Sequence, residues 1–228
     1  MNWKNKLAGL AGKYKHAWVF LYIFLYMPWF LLLERHVTTR YHVIQTWVDE
    51  QIPFIEYFIV PYLLWFVFII AAFLYFFFTD VPGFYKMARF MFTGMTIFLI
   101  ISTIFPNGQD LRPVVFERDN IFVDLVRALY RADTCTNVFP SLHVFNSLSV
   151  CIAVYNSSEL RKHRAVCTGA YVLAALIILA TVFLKQHSIL DVLGAFFMAY
   201  VLYQFVYVTE KRRLPHYVKQ KRPLLQNK

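Results

Sequence analysis

Charge is scarce in this chain. Lys, Arg, Asp and Glu make up 16% of its 228 residues, well under the roughly 25% of an average soluble domain. The acidic sign is the scarcer one, 13 residues against 23 basic. So few charges exclude a soluble domain of ordinary make-up. Cysteine is scarce as well: Cys135, Cys151 and Cys167 are odd in number and two lie in apolar runs, which excludes a disulfide framework and fits small apolar fillers. Nowhere do His, Cys and carboxylates recur at ligand spacing, so neither zinc nor a two-metal site is expected, and no cofactor is implied. The first apolar run contains Pro28, ends at Leu33-Glu34-Arg35 and has no small-x-small cleavage pattern, so it reads as a membrane span and not a secretory signal.

What is abundant is apolar. Hydrophobic residues make up 59% of the chain and aromatic ones 19%, with mean hydropathy +0.50. Apolar runs recur at residues 17–33, 57–78, 87–105, 138–155, 166–184 and 189–208, each near the ~20 residues that a helix needs to cross the hydrocarbon core. The expected fold is therefore all-α: a polytopic membrane bundle of six transmembrane helices plus short interfacial helices. The fourth run is the most polar, with Ser141, His143, Asn146, Ser147 and Ser149, and polar groups inside a bundle usually mark function. Six spans place sixteen of the lysines and arginines on one side and seven on the other, so the positive-inside rule puts both termini in the cytoplasm. This distribution explains the net charge of +10 without nucleic acid. The expectation is a multi-pass protein of the cell membrane, with membrane lipids as neighbours and no signal for an oligomeric state.

Three units follow. Residues 1–16 space Trp3, Leu7, Leu10, Ala11 and Tyr14 at helical intervals between lysines, as an amphipathic cytoplasmic segment would. Residues 17–208 are the six-span catalytic domain. Residues 209–228 are a basic tail, with Lys211, Arg212, Arg213, Lys219, Lys221 and Arg222 favouring anionic lipid. Asn156-Ser157-Ser158 matches a glycosylation acceptor but falls on the cytoplasmic side. On the outer side, Val43, Ile44, Trp47, Val48 and Ile52 share one helical face, which predicts a surface helix before Pro53. Asp80-Val81-Pro82-Gly83 predicts a short turn between spans two and three. The longest connection, residues 106–137, contains a second amphipathic stretch, with Ile121, Phe122, Leu125, Val126 and Leu129 on one face. A long ordered loop there suits a lid or substrate guide.

Two polar centres border the fourth and sixth spans. Val-Phe-Pro-Ser-Leu-His at residues 138–143 predicts a helix starting near Phe139 with Pro140 in its first turn. Its free N–H groups would seat an anion, and Ser141 and His143 add a hydroxyl and an imidazole. His187 and Asp191, four residues apart, share a helical face, so the carboxylate can accept from one imidazole nitrogen and free the other as a nucleophile. In the six-span arrangement Arg112, Ser141, His143, Lys185, His187 and Asp191 all fall on the outer side. Arg112 would clamp phosphate oxygens, His187 would attack phosphorus, and a protonated His143 would supply the leaving group's proton.

These residues resemble the type 2 phosphatidic acid phosphatase superfamily of membrane lipid phosphatases and phosphotransferases. The family's Pro-Ser-x-His motif matches Pro140, Ser141 and His143, its closing His-x-x-x-Asp matches His187 and Asp191, and its Arg-Pro matches Arg112 and Pro113. The resemblance implies His143 as general acid, His187 as nucleophile and Asp191 as its orienting partner. Two phosphate-binding cations of the family are missing: the first-motif Lys falls on Phe105 and the third-motif Arg on Thr181. Lys185, Arg127 or Arg131 would have to compensate. The branch resembling sphingomyelin and inositol phosphorylceramide synthases shows the same losses and moves phospho-headgroups between lipids. The resemblance thus implies a metal-independent phosphatase acting on a phospholipid or prenyl phosphate at the outer face. Headgroup transfer is the first alternative, and non-enzymatic binding or transport of an anionic lipid the second.

Overall fold

The computed structural model describes residues 12–36 and 40–209, together with Trp3. Much of the amphipathic segment, including Leu7, Leu10 and Ala11, and the basic tail from residue 210 lie outside the described residues. The described chain is helical almost throughout. A 3₁₀ turn at Lys15–Tyr22 leads into α1 (Ile23–His36); α2 is Trp47–Gln51, α3 Ile59–Thr79, α4 Val81–Ile104, α5 Ile121–Ala132, α6 Leu142–Asn156, α7 Arg164–Phe183 and α8 Ile189–Tyr203. The chain is an all-α polytopic membrane bundle. Five stretches are long and apolar enough to cross a bilayer: Lys15–His36, Glu56–Thr79, Val81–Ile104, Arg164–Phe183 and Ile189–Val208.

The fourth run differs from its expectation. Its helix, α6, starts at Leu142, three residues later than Phe139, and spans 15 residues, about 22 Å at 1.5 Å per residue. The residues ahead of it are instead tied to neighbouring segments. The Asn107 side chain accepts from the N–H groups of Val138 and Phe139, both at 2.9 Å, and the Asp191 carbonyl accepts from Ser141 N at 3.1 Å. Pro140, joined by a cis bond, therefore precedes the helix, and Ser141 is its N-cap. This short, polar helix is central, touching α3, α4, α7 and α8. Ser147 and Ser149 hydroxyls donate to the carbonyls of His143 and Phe145 four residues earlier, so both buried serines are satisfied within the helix. Its apolar side meets Phe90, Ala195, Met198 and Ala199, with the Phe90 and Phe145 rings stacked at 5.3 Å. Gly194 lets α8 approach closely, since a Cβ there would collide with the Phe139 ring.

Other boundaries also move. The predicted turn at residues 80–83 shrinks to Asp80, whose carboxylate caps α4 by accepting from Gly83 N at 2.9 Å. The outer surface helix shrinks to the five residues of α2, because His42–Val43 forms a strand, β1, parallel to β2 at Asn107–Gly108. α5 forms where expected, capped by the Asn120 side chain. It buries Val123 and Val126, however, while Ile121 is 70% exposed and Leu125 41%. The three cysteines are free.

The polar connections gather at one end of the bundle. β1 and β2 join the first to the second, Glu56 accepts from Arg118 and Asn120, and Gln109 Nε2 donates to the Lys185 carbonyl at 2.8 Å. The two helix starts that carry the histidines are held there.

Candidate active site

His187 precedes α8 in a tight turn in which the Thr181 carbonyl accepts from both Gln186 N and His187 N. Its Nδ1 lies 3.3 Å from Asp191 Oδ2, and the same oxygen accepts from Ser188 N at 2.9 Å. Ser188 and Asp191 form a capping box, so one carboxylate caps the helix and orients the imidazole. An ionised Asp191 accepts the Nδ1 proton and leaves Nε2 with its lone pair. His143 sits in the first turn of α6, with its ring 5.8 Å from that of His187. It is held by aromatic rings, Tyr62 at 4.5 Å and Trp65 at 4.3 Å, both from α3. Because Ser141 N bonds to the Asp191 carbonyl, the two motifs are joined through the backbone at the site itself.

The predicted cations fare differently. Arg112 reaches this region, but four of its donor contacts are already made: Nη1 to the carbonyls of Tyr130 (3.3 Å) and Asp133 (2.8 Å), and Nη2 to the Thr134 carbonyl (2.8 Å) and Gln186 Oε1 (2.5 Å). Its guanidinium also lies over the Tyr130 ring. Its Nε is buried and has no partner among the described residues. Lys185 is buried at φ 52°, and its ammonium donates to the Asp49 carbonyl at 2.5 Å. Burial holds that ammonium below its ordinary pKa, against the pull of Asp49 and Glu50. Arg127 points away, paired with Asp119 and Asp124 and lying over Phe116, and Arg131 is exposed at the end of α5. Phe105, where the family's Lys would stand, stacks on His42. The Thr181 hydroxyl bonds back to Ile178.

Sequence reasoning missed four residues. Asp49, 1% exposed, accepts from Ser188 Oγ, Ile189 N, Thr46 N and Thr46 Oγ1 at 2.7–2.8 Å. Burial alone would raise its pKa, but the bonds from Ile189, Ser188 and Thr46 outweigh it and hold the carboxyl below the usual aspartate value. The spacing Thr46-x-x-Asp49 is itself a capping-box signature and was legible. Asp133 lies 3.4 Å from the Tyr62 hydroxyl; burial pushes its carboxyl up, against the opposing charge of Arg112. Gln186 and Asn107, both almost fully buried, carried no local signal. Among the described residues no three His, Cys, Asp or Glu side chains converge as metal ligands.

Residues 91–215, more than half of the chain, match the PAP2 superfamily. The chain belongs to that family. Neither curated proteins nor solved structures return a match. At the level of the superfamily the protein is a phosphatase or phosphotransferase, and with its apolar helices it is an integral membrane protein. The matched stretch includes Arg112, both histidines and Asp191.

Proposed function

We propose that this PAP2 superfamily protein cleaves a phosphate ester of a lipid at the outer membrane face through a phosphohistidine on His187. One observation carries the reading: the imidazoles of His143 and His187 lie 5.8 Å apart, and Asp191 holds only the second. Reacting atoms meet at about 3–3.5 Å, so rings at this separation are close enough to flank one phosphorus atom. His187 Nε2 attacks phosphorus with its lone pair. The P–O bond to the lipid alcohol breaks, and the leaving oxygen takes a proton from His143 in its imidazolium form. Water then attacks the phosphohistidine, neutral His143 removes its proton, the P–N bond breaks and phosphate leaves. The start of α6 and the Ser141 cap face the phosphoryl oxygens. Both termini are cytoplasmic, following the distribution of basic residues.

Transfer to a second lipid alcohol in place of water is the other reading. It is favoured by Phe105 and Thr181 standing where the family's phosphate-binding cations would be. The test is turnover by the purified protein in detergent of phosphatidate, prenyl diphosphate, phosphatidylglycerophosphate and phosphosphingolipids, with and without diacylglycerol. Release of inorganic phosphate supports hydrolysis, and a new phospholipid that appears only with diacylglycerol supports transfer. Turnover that survives in folded His187→Ala removes the nucleophile, and a protein that binds these lipids without turning any over is a binder or transporter.

A further inference from the structure

Arg112 and Gln186 form a unit that the sequence did not suggest. A guanidinium only donates, so the atom facing Arg112 Nη2 at 2.5 Å must be the amide oxygen of Gln186. Chemistry thus fixes the orientation of an amide whose two ends are otherwise easily confused. The consequence lies at the other end. Gln186 Nε2, with two N–H groups, is buried and has no partner among the described residues, and Gln186 as a whole is 2% exposed. Arg112 Nε is a second buried donor left open beside it. Buried donors are nearly always satisfied, and an open one next to a reactive centre is placed to serve a ligand acceptor.

The surroundings say which ligand. Gln186 is the residue before His187, held in the same turn by the Thr181 carbonyl. Arg112 ties it to residues 130–134, and from that loop Asp133 reaches Tyr62, whose ring stacks on His143. The open amide therefore stands where the loop, the nucleophile turn and the His143 wall meet. The cations expected there are absent or engaged: Thr181 replaces one, Phe105 the other, and the Lys185 ammonium is on the Asp49 carbonyl.

We propose that Gln186 binds substrate, its side-chain Nε2 donating to a non-bridging phosphate oxygen while Arg112 serves as a positioning residue that aims the amide. This rests on the phosphoryl chemistry proposed above. A neutral donor supplies a hydrogen bond to the anion without adding charge to a pocket that already holds Asp133 and Asp191. A hydrogen bond to a charged group of this kind is worth about a ten- to hundredfold change in affinity.

The experiment uses the full chain in detergent with orthovanadate as the phosphoryl probe, read by calorimetry and by melting temperature. Gln186→Glu keeps an oxygen acceptor for Arg112 and replaces only the donor, so the fold is retained. Gln186→Met is neutral and near-isosteric. The proposal expects at least tenfold weaker vanadate binding in both, with the melting temperature of Gln186→Glu at or above wild type. In ¹⁵N-glutamine-labelled protein, the side-chain amide missing from the Gln186→Glu spectrum should move downfield on saturation with vanadate. Wild-type-like binding by Gln186→Glu, or an amide signal that does not move, overturns the assignment. Wild-type protein that binds no vanadate removes the phosphoryl reading and this inference together, and is thereby told apart from failure of the Gln186 role alone.

Discussion

The two imidazoles of the site are neighbours held by opposite means. His187 is tied by hydrogen bonds: Asp191 on Nδ1, the Thr181 carbonyl on its backbone, and Asp49 on the two residues that follow. His143 is held by shape, with Tyr62 and Trp65 rings against it. Among the described residues neither of its ring nitrogens has a hydrogen-bond partner. The difference fits a division of labour. A nucleophile needs one fixed tautomer and one aimed lone pair, which a carboxylate provides. An acid that must give up a proton and regain it needs a nitrogen uncommitted to a protein acceptor, and ring walls fix its position without consuming that nitrogen.

Substitutions can break this contrast in order of severity. His187→Ala should lower phospholipid turnover by about 10⁴-fold or more, since His187 is the imidazole of the pair that a carboxylate orients as a nucleophile. His143→Gln should cost about 10²–10⁴-fold, the usual range for a general acid. Its effect should shrink on a lipid whose leaving alcohol has a low pKa, and an undiminished effect on such a substrate would give His143 a different task. Trp65→Leu removes one wall and leaves every hydrogen bond around His187 intact, so turnover should fall about tenfold with vanadate affinity nearly unchanged. Equal losses in both would mean that the wall also shapes the anion seat.

A further test reaches the tethered side alone. Asp49→Ala leaves Ser188 Oγ and Ile189 N without their buried acceptor, at a cost of about 2–4 kcal/mol of stability. The sign of its pH dependence follows from the lowered pKa. Asp49's contribution is fully present above the usual aspartate value and is lost as pH falls through that value toward the lower folded-state one. Asp49→Asn should therefore flatten the acid side of the stability profile. An unchanged acid limb would show that Asp49 is not held ionised.

How much of this was legible depended on whether the partners lie close in sequence. His187 and Asp191 meet because four residues make one helical turn, and Ser141 caps α6 from three residues before Val144; spacing alone carries both. The late start of α6 was hidden because Asn107, thirty-one residues before Val138, ties down Val138 and Phe139 by their N–H groups ahead of the helix. Arg112 was found by its motif, yet its engagement by the Asp133 and Thr134 carbonyls depends on the path of α5 and its loop. Asp49 showed its local capping pattern, but the contact that ties it to Ser188 spans 139 residues. No periodicity reports such a contact.

The most direct measurement of the central claim is covalent. A substrate labelled with ³²P in its phosphoryl group, quenched in alkali during turnover, should leave alkali-stable, acid-labile label on the wild-type chain that maps to His187 and is absent from His187→Ala. Label that persists in His187→Ala, or none on a wild-type enzyme that is turning over, would contradict the account.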